Sequence, residues 1–273
     1  MNHYKSGVHT VEIQTAKPIP FDQLSEEYRA AIKPEGTCRY RVNVARLPGM
    51  DEYNGVRETQ TAIDEALSTV KEIGAGHGKV TRIDYRFDDH VHEYVHNLPV
   101  MTVVVYLLAY TGGIFDRRII YTDGERRITS VRAMPDKDDH SALYGVEYYD
   151  KENQKKTRQY GRARLELRRL NLQGESVAGV VKEWRDKLSE INRETYRNML
   201  SERADILLSR SRDIRSIRPQ LIAREEEGIL LRKIGTTQNH YYCQHLPRWA
   251  DVKAAIDEVT NCLNPPNPVK KFL

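Results

Sequence analysis

The sequence predicts an α+β fold: a central, mostly antiparallel sheet with helices on one side, followed by a helical C-terminal segment. Three observations carry this expectation. Thr81–Asp89, TRIDYRFDD, alternates apolar and charged residues, the two-residue period of a strand with one core face. Between Arg117 and Leu170, short alternating stretches follow one another across turn residues such as Asp123-Gly124. After Gly174 the period becomes helical, with Val177, Val180, Val181, Trp184, Leu188 and Ile191 on one stripe. The expected organisation is an α/β body over residues 1–174, with a helical segment over 175–273 packed on it.

The elements follow in order. Val8–Thr15 and Thr37–Leu47 read as strands, the second setting Cys38, Tyr40, Val42 and Val44 against Arg39, Arg41, Asn43 and Ala45. Thr59–Ile73 carries apolar residues at helical spacing until Gly74 and Gly76 stop it. The Thr81 strand comes next. Leu98–Tyr110 reads as a buried helix ended by Gly112-Gly113, against the preference of its β-branched run. Arg117–Thr122 and Glu125–Met134 form a hairpin, Pro135–His140 a polar turn, and Ala142–Asp150 a strand. Lys151–Gln159 is a charged loop, and Gly161–Leu170 another strand. Asp205–Ile214, Pro219–Ile234 and Pro247–Leu263 read as helices, ahead of a tail from Pro265.

Composition narrows the function classes. The chain has 273 residues, and its net charge of +4 comes from 43 basic and 39 acidic residues. That balance is too even for a global electrostatic claim on nucleic acid, so local clusters such as Arg203–Arg218 say more. Mean hydropathy is −0.67. The longest apolar run, Val100–Tyr110, is too short to span a bilayer, and the first residues lack the apolar stretch of a signal peptide. Cys38, Cys243 and Cys262 are scattered and odd in number, which fits neither a disulfide framework nor a zinc knuckle. A reducing, cytoplasmic setting is the expectation.

Two strands have charged faces. Arg82, Asp84, Arg86 and Asp88 share one side of the first, with Ile83, Tyr85 and Phe87 on the other. Arg162, Arg164, Glu166 and Arg168 share one side of the second, with Ala163, Leu165 and Leu167 on the other. Meeting in a sheet, they would form either a salt-bridge ladder or a metal site acting on a polyanion.

The order of these strands resembles a known family. Arg82, Asp84 and Asp88, then Tyr149-Asp150-Lys151, then Arg164, Glu166 and Arg168 match three successive motifs of the replication initiation factors of rolling-circle plasmids, together with the related relaxases of conjugative elements. The resemblance covers about residues 78 to 170 by motif. It implies a replication-initiator, nickase-like fold and a metal-dependent, site-specific DNA endonuclease and strand transferase. In that chemistry a tyrosine hydroxyl attacks a phosphodiester at the replication origin, and a divalent cation, Mg²⁺ or Mn²⁺, polarises the phosphate. The resemblance implies Asp84 and Glu166 as metal ligands, with Asp88 and Glu147 as helpers. Arg82, Arg86, Tyr149, Lys151, Arg162, Arg164 and Arg168 would contact DNA. The implied partners are DNA (an origin hairpin or single strand), a second copy of the chain and a helicase.

One departure matters. The family places its nucleophilic tyrosine on the strand that here reads Arg127–Met134, and this strand has none. Tyr121 and Tyr144 are the displaced candidates; Ser130 has a hydroxyl, with nothing in the sequence to mark it as activated. The alternative is a catalytically inactive DNA-binding relative, a regulator or accessory factor of a mobile element. A protein-interaction module that keeps only the fold is a third reading. His90-Val91-His92 matches the metal motif of a different nickase class but lies past the strand end, where a solvated loop is the plainer reading. Tyr241-Tyr242 beside His240 is a weak base-stacking signal.

Overall fold

Eight of the strands join in one antiparallel sheet. The computed structural model describes residues 5–47, 63–64, 66–89, 94–114, 118–122, 128–135, 141, 143–150, 163–199, 222–224, 228–230 and 247–263. The strands are β1 (Lys5–Thr15), β2 (Ile32–Pro34), β3 (Arg39–Asn43), β4 (Gly78–Asp89), β5 (Arg118–Thr122), β6 (Ile128–Ala133), β7 (Tyr144–Asp150) and β8 (Ala163–Arg169). Their spatial order is β2-β3-β1-β4-β8-β7-β6-β5. The helices are α1 (Glu26–Ala31), α2 (Tyr94–Thr111), α3 (Val177–Glu190) and α4 (Trp249–Leu263), and residues 66–70 and 193–199 are helical as well. The α+β architecture with a mostly antiparallel sheet is thus the one the alternation predicts.

One face of the sheet is the core. Ile83, Tyr85 and Phe87 of β4, Leu165 and Leu167 of β8, Val146 and Tyr148 of β7, and Val131 and Ala133 of β6 are all buried on it. Against this face lies α2, whose Val103, Val104, Val105, Leu107, Leu108 and Ala109 are buried on every side. Tertiary burial here overrides the poor helix propensity of the valine run. The helix begins earlier than its sequence pattern suggests and runs through Pro99, giving up one backbone hydrogen bond. It ends at Gly113 (φ 71°), where the Ile114 N–H bonds the Ala109 carbonyl at 2.9 Å. A left-handed residue closing a helix in this way is most easily a glycine. Among the described residues, no helix is long and apolar enough to cross a membrane.

The C-terminal helices share this core. Ser176 caps α3 by accepting a hydrogen bond from the Gly179 N–H at 3.1 Å, and Val177, Val180, Val181, Trp184 and Leu188 are buried. In α4, Val252, Ile256, Val259 and Leu263 form the buried stripe. Tyr196 donates to the Pro247 carbonyl at 2.9 Å and stacks on Trp249, tying residues 193–199 to the start of α4.

Two expectations need correction. The Thr37–Leu47 strand stops at Asn43 and gives way to a 3₁₀ turn, Val44–Arg46. Val44 stays buried through the turn, so alternation alone could not locate the strand end. Residues 219–234 are not one helix: Ile222–Arg224 and Gly228–Leu230 pair antiparallel as β9 and β10. Gly228 disfavours a helix by about 1 kcal/mol, and β-branched Ile222 and Ile229 favour strands. The helix expected over 59–73 is seen at residues 66–70 and ends in a π turn, Lys71–Ala75. The Lys151–Gln159 loop, His90-Val91-His92, Asp205–Ile214, the Arg203–Arg218 cluster, Tyr241-Tyr242 and the tail lie outside the described residues, as does most of the Pro135–His140 turn.

Candidate functional site

The two charged strand faces meet directly, because β4 and β8 are neighbours. Asp84 stands opposite Arg168, Arg86 opposite Glu166, and Asp88 opposite Arg164. On the other side of β8, Glu147 and Tyr149 of β7 stand opposite Glu166 and Arg164. The charged face therefore spans β4, β8 and β7, and Ser130 of β6, opposite Tyr149, extends it by one strand.

The four carboxylates on this face, Asp84, Asp88, Glu147 and Glu166, are each paired with a guanidinium. Arg82 clasps Asp84 through two hydrogen bonds of 2.6 Å. Arg164 clasps Asp88 the same way, its NH2 nitrogen at 2.8 Å from Oδ2, and Arg86 approaches Asp88 at 3.8 Å. Arg168 donates to Glu166 Oε2 at 2.8 Å and to Glu147 Oε2. The Tyr149 hydroxyl donates to Glu166 Oε1 at 2.7 Å, and the Ser130 hydroxyl to Glu147 Oε1 at 2.9 Å. Asp84, Arg86, Asp88, Glu147, Arg164 and Glu166 are all buried. Burial makes the pairing obligatory, since an unpaired buried charge is strongly destabilising.

A bulge brings a histidine into the network. The β1–β4 register shifts between Val8 and Thr10, placing the extra residue, His9, beside Thr10 on the charged side. His9 Nδ1 lies 2.9 Å from Thr10 Oγ1 and 3.5 Å from Glu166 Oε1. Burial, reinforced by the Arg164 and Arg86 charges and opposed by Glu166, pulls the His9 imidazole down to about 4, so it is neutral at pH 7. Burial would raise the Glu166 carboxyl, but Arg168, with Arg164 behind it, holds it down at about 2. Burial and the Glu166 charge push the Tyr149 phenol well above its ordinary range.

These shifts predict the acid limb of stability. Between pH 6.5 and 4, the unfolded chain takes up a proton at His9 that the folded chain does not. Stability should therefore fall as pH drops through that window. Glu166 contributes stability above pH 4.5, which is lost as pH falls toward 2. His9→Gln is expected to flatten the upper window alone, by up to about 1.4 kcal/mol per pH unit at the steepest. Urea denaturation at stepped pH checks this.

The charged face opens into a cavity of about 270 Å³ between β1, β3, α1 and the β4-β8-β7 strands. Five cationic side chains line it, Lys33, Arg41, Arg46, Arg82 and Arg168, against three carboxylates, Asp84, Glu147 and Glu166. Arg41 pairs with Glu35 at 2.8 Å. Among the described residues, Lys33 and Arg46 show no carboxylate partner, which leaves positive charge at the rim. His9 and Tyr149 also line the cavity.

The structure thus brings together Arg82, Asp84, Arg86, Asp88, Glu147, Tyr149, Arg164, Glu166 and Arg168. It does not bring Tyr144 to them. That residue sits on the opposite face, edge-on to Trp184 with ring centroids 5.2 Å apart, under Lys187 and bonded to Glu183 at 3.4 Å. Tyr121 stands opposite Ser130 in the β5–β6 register, at the edge of the charged row. Lys151 and Arg162 lie outside the described residues. Sequence reading missed His9, Lys33 and Arg46 as site residues. No sequence signal marks the bulge that places His9.

The metal expectation meets a specific obstacle. Asp84, Asp88, Glu147 and Glu166 are each turned to an arginine, and among the described residues no group of three or more His, Cys, Asp or Glu is placed to hold an ion. As arranged, the donor set does not fit a divalent cation.

Fold and site together define an α+β protein with a buried arginine–carboxylate face and a cationic cavity. No family model matches the chain, and no curated protein matches it. Among solved structures, it aligns with the rolling circle replication initiator protein from Geobacillus stearothermophilus over 95% of this chain and 97% of that one, at 12% identity and a TM-score of 0.34.

Proposed function

We propose that the chain is a DNA-binding protein of replication-initiator type that grips phosphates at the charged cavity. The cation excess around that cavity carries this reading: five basic side chains face three carboxylates, and His9 is neutral. Lys33 and Arg46 would make direct phosphate contacts, while Arg82 and Arg168 stay paired with the carboxylates of the cavity floor and keep those from repelling the phosphate. The order of the Arg82–Asp88, Tyr149–Lys151 and Arg164–Arg168 motifs supports the initiator class. Fluorescence anisotropy with a labelled single-stranded oligonucleotide at low salt, in EDTA, tests it. The wild type is expected to bind, and Lys33→Ala with Arg46→Ala to weaken binding of all sequences alike. Absence of binding at low salt would favour the protein-interaction reading.

Strand nicking is a second reading, and the Tyr149 hydroxyl on the cavity wall favours it. In that chemistry the phenol oxygen bonds to phosphorus, its proton passes to a base, and the 3′ oxygen leaves. The nearest carboxylate, Glu166, is a weak base because Arg168 holds it at about 2, and Tyr149 keeps its proton firmly. The resting site is therefore built for binding more than for attack. An SDS-stable protein–DNA adduct lost in Tyr149→Phe or Tyr121→Phe would establish nicking; supercoiled origin plasmid left closed leaves the binding reading alone.

A further inference from the structure

We propose that Arg168 is the resident cation of this site: its guanidinium stands where Asp84, Glu147 and Glu166 converge, so the face works without a divalent ion. Asp84 and Glu166 are the two expected metal ligands and Glu147 one of the two expected helpers, and they stand on three adjacent strands. They do converge, but on a side chain. Arg168 NH2 meets Glu166 Oε2 at 2.8 Å and also meets Glu147 Oε2, and its Nε lies 3.8 Å from Asp84 Oδ2.

The guanidinium is held from behind as well. Its NH1 lies 3.2 Å from the Met134 sulfur. Gly145, opposite Arg168 in the β7–β8 register, leaves room for that methionine: a Cβ there would sit 2.5 Å from the sulfur. Burial opposes charge on Arg168, but the three carboxylates more than offset it and keep the group protonated.

Charge balance supports the same conclusion. On the charged face of β4, β7 and β8, four carboxylates (Asp84, Asp88, Glu147, Glu166) meet four guanidiniums (Arg82, Arg86, Arg164, Arg168). A carboxylate cluster that binds a divalent ion keeps uncompensated negative charge and open oxygen lone pairs. Here the ion would have to expel a guanidinium from a buried position or add two charges to a neutral network. Arg168 cannot lose its proton, so its charge is permanent and independent of ion supply.

The test measures Mn²⁺ binding to the full chain by electron paramagnetic resonance of the free ion, beside thermal melting with Mn²⁺ or EDTA. The wild type is expected to take up no Mn²⁺ up to about 1 mM and to melt alike in both. Arg168→Gln frees Glu147 and Glu166 from their guanidinium, with Asp84 still held by Arg82 beside them, and is expected to gain Mn²⁺ binding, with a melting temperature raised by the ion. Arg168→Lys keeps the charge and should gain none. Wild-type binding well below 1 mM that Glu166→Gln abolishes would overturn the proposal, and this arm stands even if Arg168→Gln does not fold. A folded Arg168→Gln with no gain would overturn it too. A second arm rests on the phosphate-binding reading above: wild-type affinity for single-stranded DNA should agree within about twofold in EDTA and in Mn²⁺. Mn²⁺-dependent DNA binding contradicts the resident cation, whereas no DNA binding in either buffer defeats the phosphate reading and leaves the metal arm to decide this one.

Discussion

Replacing Arg164 with methionine is expected to destabilise the fold by about 3–5 kcal/mol, because it strands Asp88 inside the sheet. Asp88 is 1% exposed and Arg164 2%, and two hydrogen bonds join them across β4 and β8. Arg86, at 3.8 Å from Asp88, is too far to take over both bonds. The Asp88 carboxylate lifts the Arg164 guanidinium well above its ordinary range despite burial, so Arg164 keeps its charge. Urea denaturation should show a lower midpoint with an unchanged slope. Pairing the change with Asp88→Leu should recover most of the loss, since a buried ion pair stabilises little over apolar residues of similar size. A loss below about 1 kcal/mol for Arg164→Met would mean that the face is hydrated and the pair loose.

Trp184→Ala should cost about 3–5 kcal/mol by opening a cavity between α3 and the sheet. Trp184 is 1% exposed, and its ring meets Tyr144 edge-on. Its indole N–H has no hydrogen-bond partner among the described residues, so Trp184→Phe should be milder, removing volume without orphaning an acceptor. DNA binding by a folded Trp184→Phe protein should be unchanged, because this face lies across the sheet from the cavity. Equilibrium denaturation and anisotropy on the same samples separate the two effects.

The same opposition of faces shows what could be read from the chain. Alternation along β4 and β8 assigns each residue to its face correctly. Along β7 it sets Tyr144, Val146 and Tyr148 against Glu147 and Tyr149, so the exclusion of Tyr144 from the charged face was legible. Motif order drew it toward the site all the same. That β4 and β8 are neighbours was not legible in pattern: no local signal pairs strands separated by α2 and three other strands. The His9 bulge was equally hidden, since one extra residue shifts the face of everything before it. Composition also gave no means of telling a metal site from a salt-bridge ladder, because both need carboxylates among arginines. Only the directions of the side chains separate them, and Arg168 reaching Asp84, Glu147 and Glu166 at once does so. The misread 219–234 segment failed for a plainer reason, as its apolar spacing fits a helix while Gly228 and the isoleucines favour a hairpin.

The central claim is that the cavity on the charged face binds DNA phosphate through Lys33 and Arg46. The salt dependence of single-stranded DNA affinity, measured in EDTA for the wild type and for Lys33→Ala with Arg46→Ala, tests it most directly. The slope of log affinity against log salt should become shallower by about 0.7 for each side chain removed, with the fold unchanged. An identical slope in the double variant, or a wild type that binds no DNA at low salt, would contradict it.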